Sequence, residues 1–242
     1  MSRPLPNKTE VNALREKSLE HASLVSARFG LVAVRHGETT WNLENRIQGH
    51  KDSPLTPTGR MQAQAMARRL STMGLQALYS SDLGRARETA EIIGPACGLS
   101  PKTDPRFRER NLGIFEALTY AETQKRFPEE FARFKTWDAT YQVPEGESSL
   151  QFKERIANGL DDLHQRHPGE RIGLVTHGGV LDLMMRLAIG LPLNIPRAYS
   201  LFNASLNRFS RDNGRWVLDT WGDTSHLDGV TKDDASIPAN SL

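Results

Sequence analysis

One cysteine in 242 residues, Cys97, has no second thiol to pair with. That excludes an intramolecular disulfide and any zinc or iron–sulfur site built from several thiolates, and it fits a reducing compartment. Long apolar runs are missing as well. None approaches the ~20 residues that a membrane helix requires, and the first ten residues carry Arg3, Lys8 and Glu10 with no apolar stretch, unlike a signal peptide. Charge of one sign is not in excess, since 31 Lys+Arg against 29 Asp+Glu leave +2. The pI of about 8.8 therefore carries no argument for a nucleic-acid partner. Neither Gly-x-x-x-x-Gly-Lys-Ser/Thr nor Gly-x-Gly-x-x-Gly occurs, which argues against nucleotide binding by those loops. Together these absences predict a soluble, cytoplasmic protein that engages neither membrane nor nucleic acid.

What is present is ordinary for a globular chain: 38% hydrophobic and 25% charged residues. A chain of this length suits one α/β domain and can bury about 70–75% of its unfolded surface without a staple. Residues 1–28 are polar and mixed in charge, with loose apolar spacing at Val11, Leu14, Ala22 and Leu24, and read as an extension. Residues 228–242 read as a polar tail with too little apolar surface to offset ordering. The domain is expected at 29–227.

Within it, strand-like and helix-like patterns alternate. Phe29–Val34 is a short apolar run with valines, and a helical stripe of Ala63, Met66, Leu70 and Met73 spans about 60–73 behind Thr56-Pro57. Leu75–Ser80 reads as a strand. Ser81 or Asp82 is expected to cap a helix that stops at Gly94-Pro95. An amphipathic segment covers Ser148–His167, Arg171–Thr176 is a strand, and a helix runs from Gly179 to Ile189 with Gly190 closing it. Tyr199–Phe209 and Trp216–Trp221 read as strands around the Asn213-Gly214 turn. Repeated β-then-α units predict a three-layer α/β/α sandwich with a mostly parallel central sheet.

Ligands of such sheets bind at the carboxyl ends of the strands. Two junctions there end in histidine, Val34-Arg35-His36-Gly37 and Val175-Thr176-His177-Gly178, 141 residues apart. A third, Ser80-Ser81-Asp82-Leu83-Gly84-Arg85, brings another arginine. Two arginines and two histidines at one edge suit a phosphoryl group with nearly two negative charges, because guanidinium forks match its oxygens bidentately. The Gly178-Gly179 helix start adds free N–H groups. Taken singly, each residue has a bland reading: a histidine after a strand is more often structural, and an arginine at a helix start is usually a solvated charge.

Arg35-His36-Gly37-Glu38-Thr39, Asp82-Leu83-Gly84-Arg85-Ala86-Arg87-Glu88-Thr89-Ala90, Arg108-Glu109-Arg110-Asn111-Leu112-Gly113, Gly146-Glu147-Ser148 and Thr176-His177-Gly178 occur in this order. This set resembles the histidine phosphatase superfamily, the phosphoglycerate mutase-like group, over roughly residues 30–225. The resemblance implies that His36 is a nucleophile forming a phosphohistidine. It implies that Arg35, Arg85 and His177 hold the phosphoryl oxygens, and that Glu109 protonates the leaving oxygen and then activates water. It also implies that Asn42, Gln48, Gly49, Glu147, Gly178 and Gly179 bind phosphate or substrate. No metal and no cofactor are required by this scheme, since arginines neutralise the charge. The expected ligand is a small phosphorylated metabolite, and a second copy of the chain stays open as a partner.

The same chemistry serves a phosphatase and a mutase. Arg46-Ile47-Gln48-Gly49-His50 resembles the phosphatase branch, where cofactor-dependent mutases carry Thr-Gly-Trp. The stretch Ala117–Val143 is short and lacks the adjacent arginine pair with which mutases grip a second phosphate. The chain is therefore expected to be a phosphomonoester hydrolase, with a bisphosphoglycerate-dependent mutase or a non-catalytic phospholigand binder as alternatives. Glu116-Ala117 departs from the family's usual Glu-Gly. His164 and His167, three apart on a helix, are a weaker metal-site candidate, read more simply as a solvated face. His50 is placed near the pocket rim, and Cys97 is read as a buried packing residue.

Overall fold

In the computed structural model, which describes residues 29–230, the apolar run after Phe29 forms strand β1 (Gly30–Arg35) at the middle of a six-stranded sheet. The other strands are β2 (Ala77–Ser80), β3 (Lys102–Thr103), β4 (Arg171–Thr176), β5 (Leu206–Asp212) and β6 (Arg215–Asp223), in the spatial order β3-β2-β4-β1-β5-β6. The pairings β3–β2, β2–β4 and β4–β1 are parallel, whereas β5 runs antiparallel to β1 and to β6. The helices are α1 (Thr40–Leu43), α2 (Pro57–Leu70), α3 (Gly84–Cys97), α4 (Tyr120–Arg126), α5 (Pro128–Phe134), α6 (Ser149–Arg166) and α7 (Gly178–Ile189). The N-terminal extension and most of the polar tail lie outside the described residues.

Alternation along the strands builds two cores. Leu31, Ala33, Tyr79, Ile172 and Leu174 point to one face, where α6 and α7 bring Phe152, Ile156, Leu160, Val180 and Met184. Val32, Val34, Leu78 and Val175 point to the other and meet Met66 and Leu70 of α2 and Ala86, Ala90 and Ile93 of α3. A sheet covered by helices on both faces is the three-layer sandwich that the β-then-α repeats imply. Among the described residues no helix is long and apolar enough to cross a membrane.

Five local expectations are corrected. The helix α2 starts at Pro57 and ends at Leu70, because Thr56 Oγ accepts the Gly59 N–H and Pro57 suits the first turn. Leu83, not Ser81 or Asp82, is the N-cap residue of α3, and it makes no side-chain cap bond. That helix passes through Pro95 to Cys97: the N–H that proline lacks would have faced the exposed Glu91 turn, and Gly98 (φ 66°) closes the helix instead. Strand β5 begins at Leu206 rather than Tyr199, because Asn203 and Ala204 turn aside to bond the His36 carbonyl. Cys97 is only partly buried, at the edge of the second core.

A third, separate apolar cluster lies beyond the strand ends. Phe115 packs edge-on or tilted against Phe127, Phe131 and Phe134, with Ile47, Tyr141 and Val143 around it. This aromatic lobe is the stretch Ala117–Val143 whose form the sequence leaves open.

Candidate active site

The register of the two central strands decides the site. Arg35 of β1 pairs with Thr176 of β4, and the His36 N–H bonds the Thr176 carbonyl at 2.9 Å. Both histidines therefore leave the sheet side by side, with ring centroids 5.3 Å apart and planes at 57°. Nδ1 of His36 lies 2.8 Å from the Gly37 carbonyl, which only accepts, so the proton sits on Nδ1 and Nε2 keeps its lone pair. The His36 carbonyl accepts from the Ala204 N–H and from Asn203 Nδ2, fixing the main chain at the strand end. A Cβ at Gly37 would come within 2.4 Å of the Gly59 carbonyl oxygen, so only glycine lets the first turn of α2 press against this point.

Both imidazoles titrate well below their usual value of 6.5. Burial is the main cause for each, followed by the Arg85 charge; Arg35 adds to the effect on both, and His36 to that on His177. Near neutral pH both rings are uncharged. Neither ring nitrogen of the fully buried His177 makes a hydrogen bond among the described residues.

Arg85 is 2% exposed and stands at the start of α3. It donates to the carbonyls of Lys51 and Gly49, each at 2.9 Å, and to Asp52 Oδ1 at 3.0 Å, which holds the 49–52 loop over the strand ends. Arg35 donates to the Leu201 carbonyl from the other side. Glu109 sits between two short 3₁₀ turns, Pro105–Phe107 and Gly113–Phe115. Its carboxylate accepts from the Gly179 N–H (2.9 Å) and the Arg110 N–H (2.7 Å), at the positive end of α7. A Cβ at position 179 would lie 2.1 Å from Glu109 Oε1, which explains the second glycine of the pair. The arginines flanking Glu109 have other partners: Arg106 bonds Asp104 and Asp162, Arg108 bonds Asp82, and Arg110 bonds the Glu147 carbonyl.

A cavity of about 280 Å³ opens on this cluster. Arg35, His36, Asn42, Gln48, Gly49, Arg85, Glu109, Gly178 and Gly179 all line it. Two residues singled out in the sequence do not. His177 lies behind His36, in ring contact with it. Glu147 is turned away, its carboxylate on Arg155 (2.5 Å) and the Asn111 N–H (2.9 Å). His50 is also outside the lining: its ring Nε2 donates to the Glu109 carbonyl at 2.9 Å. His164 packs edge-on against Phe29, and His167 bonds the Tyr79 hydroxyl and Glu170, so the two nitrogen sets do not converge.

Sequence reasoning missed the outer half of the cavity. Tyr120, Phe134 and Trp137 come from the aromatic lobe, Phe152 from α6, and Leu193 and Arg197 from the loop after α7. The one available signal was the spacing of Phe127, Phe131 and Phe134, which marks a helix with an aromatic face, half-buried in the structure.

Comparison with known proteins follows the same outline. Residues 31–224 match the family described as histidine phosphatase superfamily (branch 1). Phosphoglycerate mutase-like protein 4 of Arabidopsis thaliana is 42% identical over 202 residues, covering 82% of this chain and 86% of that protein. An Escherichia fergusonii protein named "Probable phosphoglycerate mutase GpmB" is 40% identical over 83% of this chain and 96% of its own length. Among solved structures, Bacillus stearothermophilus YhfR superposes with a TM-score of 0.76 at 35% identity, covering 82% of this chain and 99% of that one. A mycobacterial glucosyl-3-phosphoglycerate phosphatase complexed with VO3 gives 0.73 at 34%, covering 81% and 99%.

Proposed function

Because the chain belongs to the histidine phosphatase superfamily, we propose that it is a metal-independent phosphomonoester hydrolase of the cytoplasm, acting on a small phosphorylated metabolite through a phosphohistidine. The observation that carries this reading is the neutral His36, with Nε2 unprotonated, held at the cavity end between Arg35 and Arg85. Nε2 attacks phosphorus and the P–O ester bond breaks. Glu109, entering as the carboxylic acid, passes its proton to the leaving oxygen. Water then attacks the phosphohistidine, the N–P bond breaks, and the Glu109 carboxylate takes the water proton, which returns both groups to their starting forms. Arg35 and Arg85, which line the cavity beside His36, supply the charge stabilisation that phosphoryl transfer needs, whereas His177 stays behind the nucleophile's ring.

Hydrolysis is favoured over mutase action by what the lobe contributes. It lines the cavity with Tyr120, Phe134 and Trp137, while its cations Lys125, Arg126, Arg133 and Lys135 do not reach the lining. The lobe itself offers a second phosphate only aromatic faces, which suit an apolar or aryl alcohol, while Arg110 and Arg197 elsewhere in the lining are among the cations a second anion would have to use. The mutase names of the curated relatives keep the alternative in the test. Wild type should release phosphate from an aryl phosphate, and His36→Ala should abolish release with the fold intact by circular dichroism. Retained turnover in that variant would remove His36 from the nucleophile's role. Interconversion of 3- and 2-phosphoglycerate at a rate comparable to hydrolysis would overturn the hydrolase reading.

A further inference from the structure

Glu109 stands in a stretch without helix or strand, so no backbone ladder holds it. Residues 108–112 run irregularly between the two 3₁₀ turns. The Asn111 carbonyl accepts the Glu147 N–H and the Glu109 carbonyl accepts His50 Nε2, and one further side chain serves three carbonyls of the 106–109 stretch at once. Arg155, on the second turn of α6, donates from Nη1 to the carbonyls of Arg106 (2.6 Å) and Arg108 (3.1 Å), and from Nη2 to the carbonyl of Glu109 itself (3.2 Å). Its other two N–H groups meet the Glu147 carboxylate, Nη2 at 2.5 Å and Nε at 3.3 Å. All five guanidinium donors are thereby engaged.

Glu147 completes the frame. Besides holding Arg155, its Oε1 accepts the Asn111 N–H at 2.9 Å, and its main-chain carbonyl accepts from Arg110 Nε and Nη2 at 3.2 and 3.1 Å. The carbonyls of Arg106, Arg108 and Glu109 and the Asn111 N–H are thus tied to one partly buried ion pair whose arginine stands on α6. Among the described residues, the Glu109 side chain takes its hydrogen bonds from the Gly179 and Arg110 N–H groups.

We propose that Arg155, locked by Glu147, is a positioning residue that holds Glu109 where its proton meets the leaving oxygen. This rests on the reading of Glu109 as the proton donor. A lysine cannot substitute: its donors share a single atom and cannot span three carbonyls and a carboxylate. Proton donation needs placement within hydrogen-bond reach, and a displacement of about 1 Å costs up to about 100-fold.

Two esters with an aromatic body separate this role from a merely structural one. 4-Nitrophenyl phosphate expels a phenolate that needs no proton, whereas 2-phenylethyl phosphate expels an alkoxide that does. The quantity to compare is kcat/KM, which reports the first phosphoryl transfer, for the full chain and for Glu109→Gln, Arg155→Lys and Glu147→Gln. Glu109→Gln should lose about 100-fold or more on the alkyl ester and far less on the nitrophenyl ester. Arg155→Lys should show the same selectivity at about tenfold, and Glu147→Gln, which keeps the carbonyl bonds of Arg155, a smaller loss of the same kind. Adding Arg155→Lys to Glu109→Gln should cost little more on the alkyl ester. Equal losses on both esters in Arg155→Lys and Glu147→Gln overturn the positioning role while leaving Glu109 as the acid. No selective loss in Glu109→Gln overturns both assignments.

Discussion

His36 and His177 share a burial that keeps both rings neutral, and this has a consequence for stability. Unfolded, each imidazole titrates near 6.5; folded, each resists protonation. As pH falls below about 6.5 the unfolded chain takes up protons that the native protein refuses, so stability is fully present above that pH and is lost as pH falls towards the native values. Each refused proton is worth up to about 1.4 kcal/mol per pH unit across that window. Urea unfolding between about pH 5 and pH 7 should show this slope, and a His36→Asn/His177→Asn variant should flatten it. An unchanged slope in that variant would place the protons elsewhere. The acid limb of kcat/KM assigned to the nucleophile should likewise lie below pH 6.5. The identity of both histidines is legible in the sequence. Their neutrality is not, because it depends on burial in the folded protein and on the Arg85 and Arg35 charges that the fold brings beside them.

Elements whose ends carry their own signals were readable: Thr56-Pro57 before α2, Ser148 with Gln151 as a capping box before α6, and Gly190 after α7. The start of α3 was not, since Leu83 caps it without a side-chain bond. The aromatic lobe was least readable. It hangs on the turn at Glu116-Ala117, where the Ala117 N–H bonds the Ile47 carbonyl and Glu116 accepts the N–H groups of His50, Lys51 and Leu112. Ala117 adopts a φ of 71°, in the left-handed region, where a Cβ costs about 1–2 kcal/mol. Glycine, usual at this position in the family, avoids that strain at a smaller entropic cost in the unfolded chain. We expect Ala117→Gly to raise stability by about 0.5–1 kcal/mol, measured as a higher urea midpoint with unchanged activity. A lower midpoint would mean that the alanine methyl packs in a way that outweighs the strain.

For the whole molecule, near-balance of charge conceals an uneven distribution. Arg35, Arg46, Arg85, Arg110, Arg186 and Arg197 line one cavity that has Glu109 and Asp182 as its carboxylates. If these guanidiniums neutralise the phosphoryl group, excess chelator should leave kcat and KM at their initial values; loss of turnover restored by a divalent cation would contradict that scheme. The sequence by itself determined the order of the β-then-α units, the mostly parallel sheet and the chemical types placed at three strand ends, because hydrophobic period and glycine turns act over a few neighbouring residues. Only the tertiary structure decided which of those groups meet. The β1–β4 register sets His36 against His177 across 141 residues. The loop around Glu109 takes its donors from α6 rather than from its own chain neighbours, and Glu147 consequently faces Arg155 instead of the cavity. Such pairings depend on long-range packing of elements, which no local stretch of residues encodes.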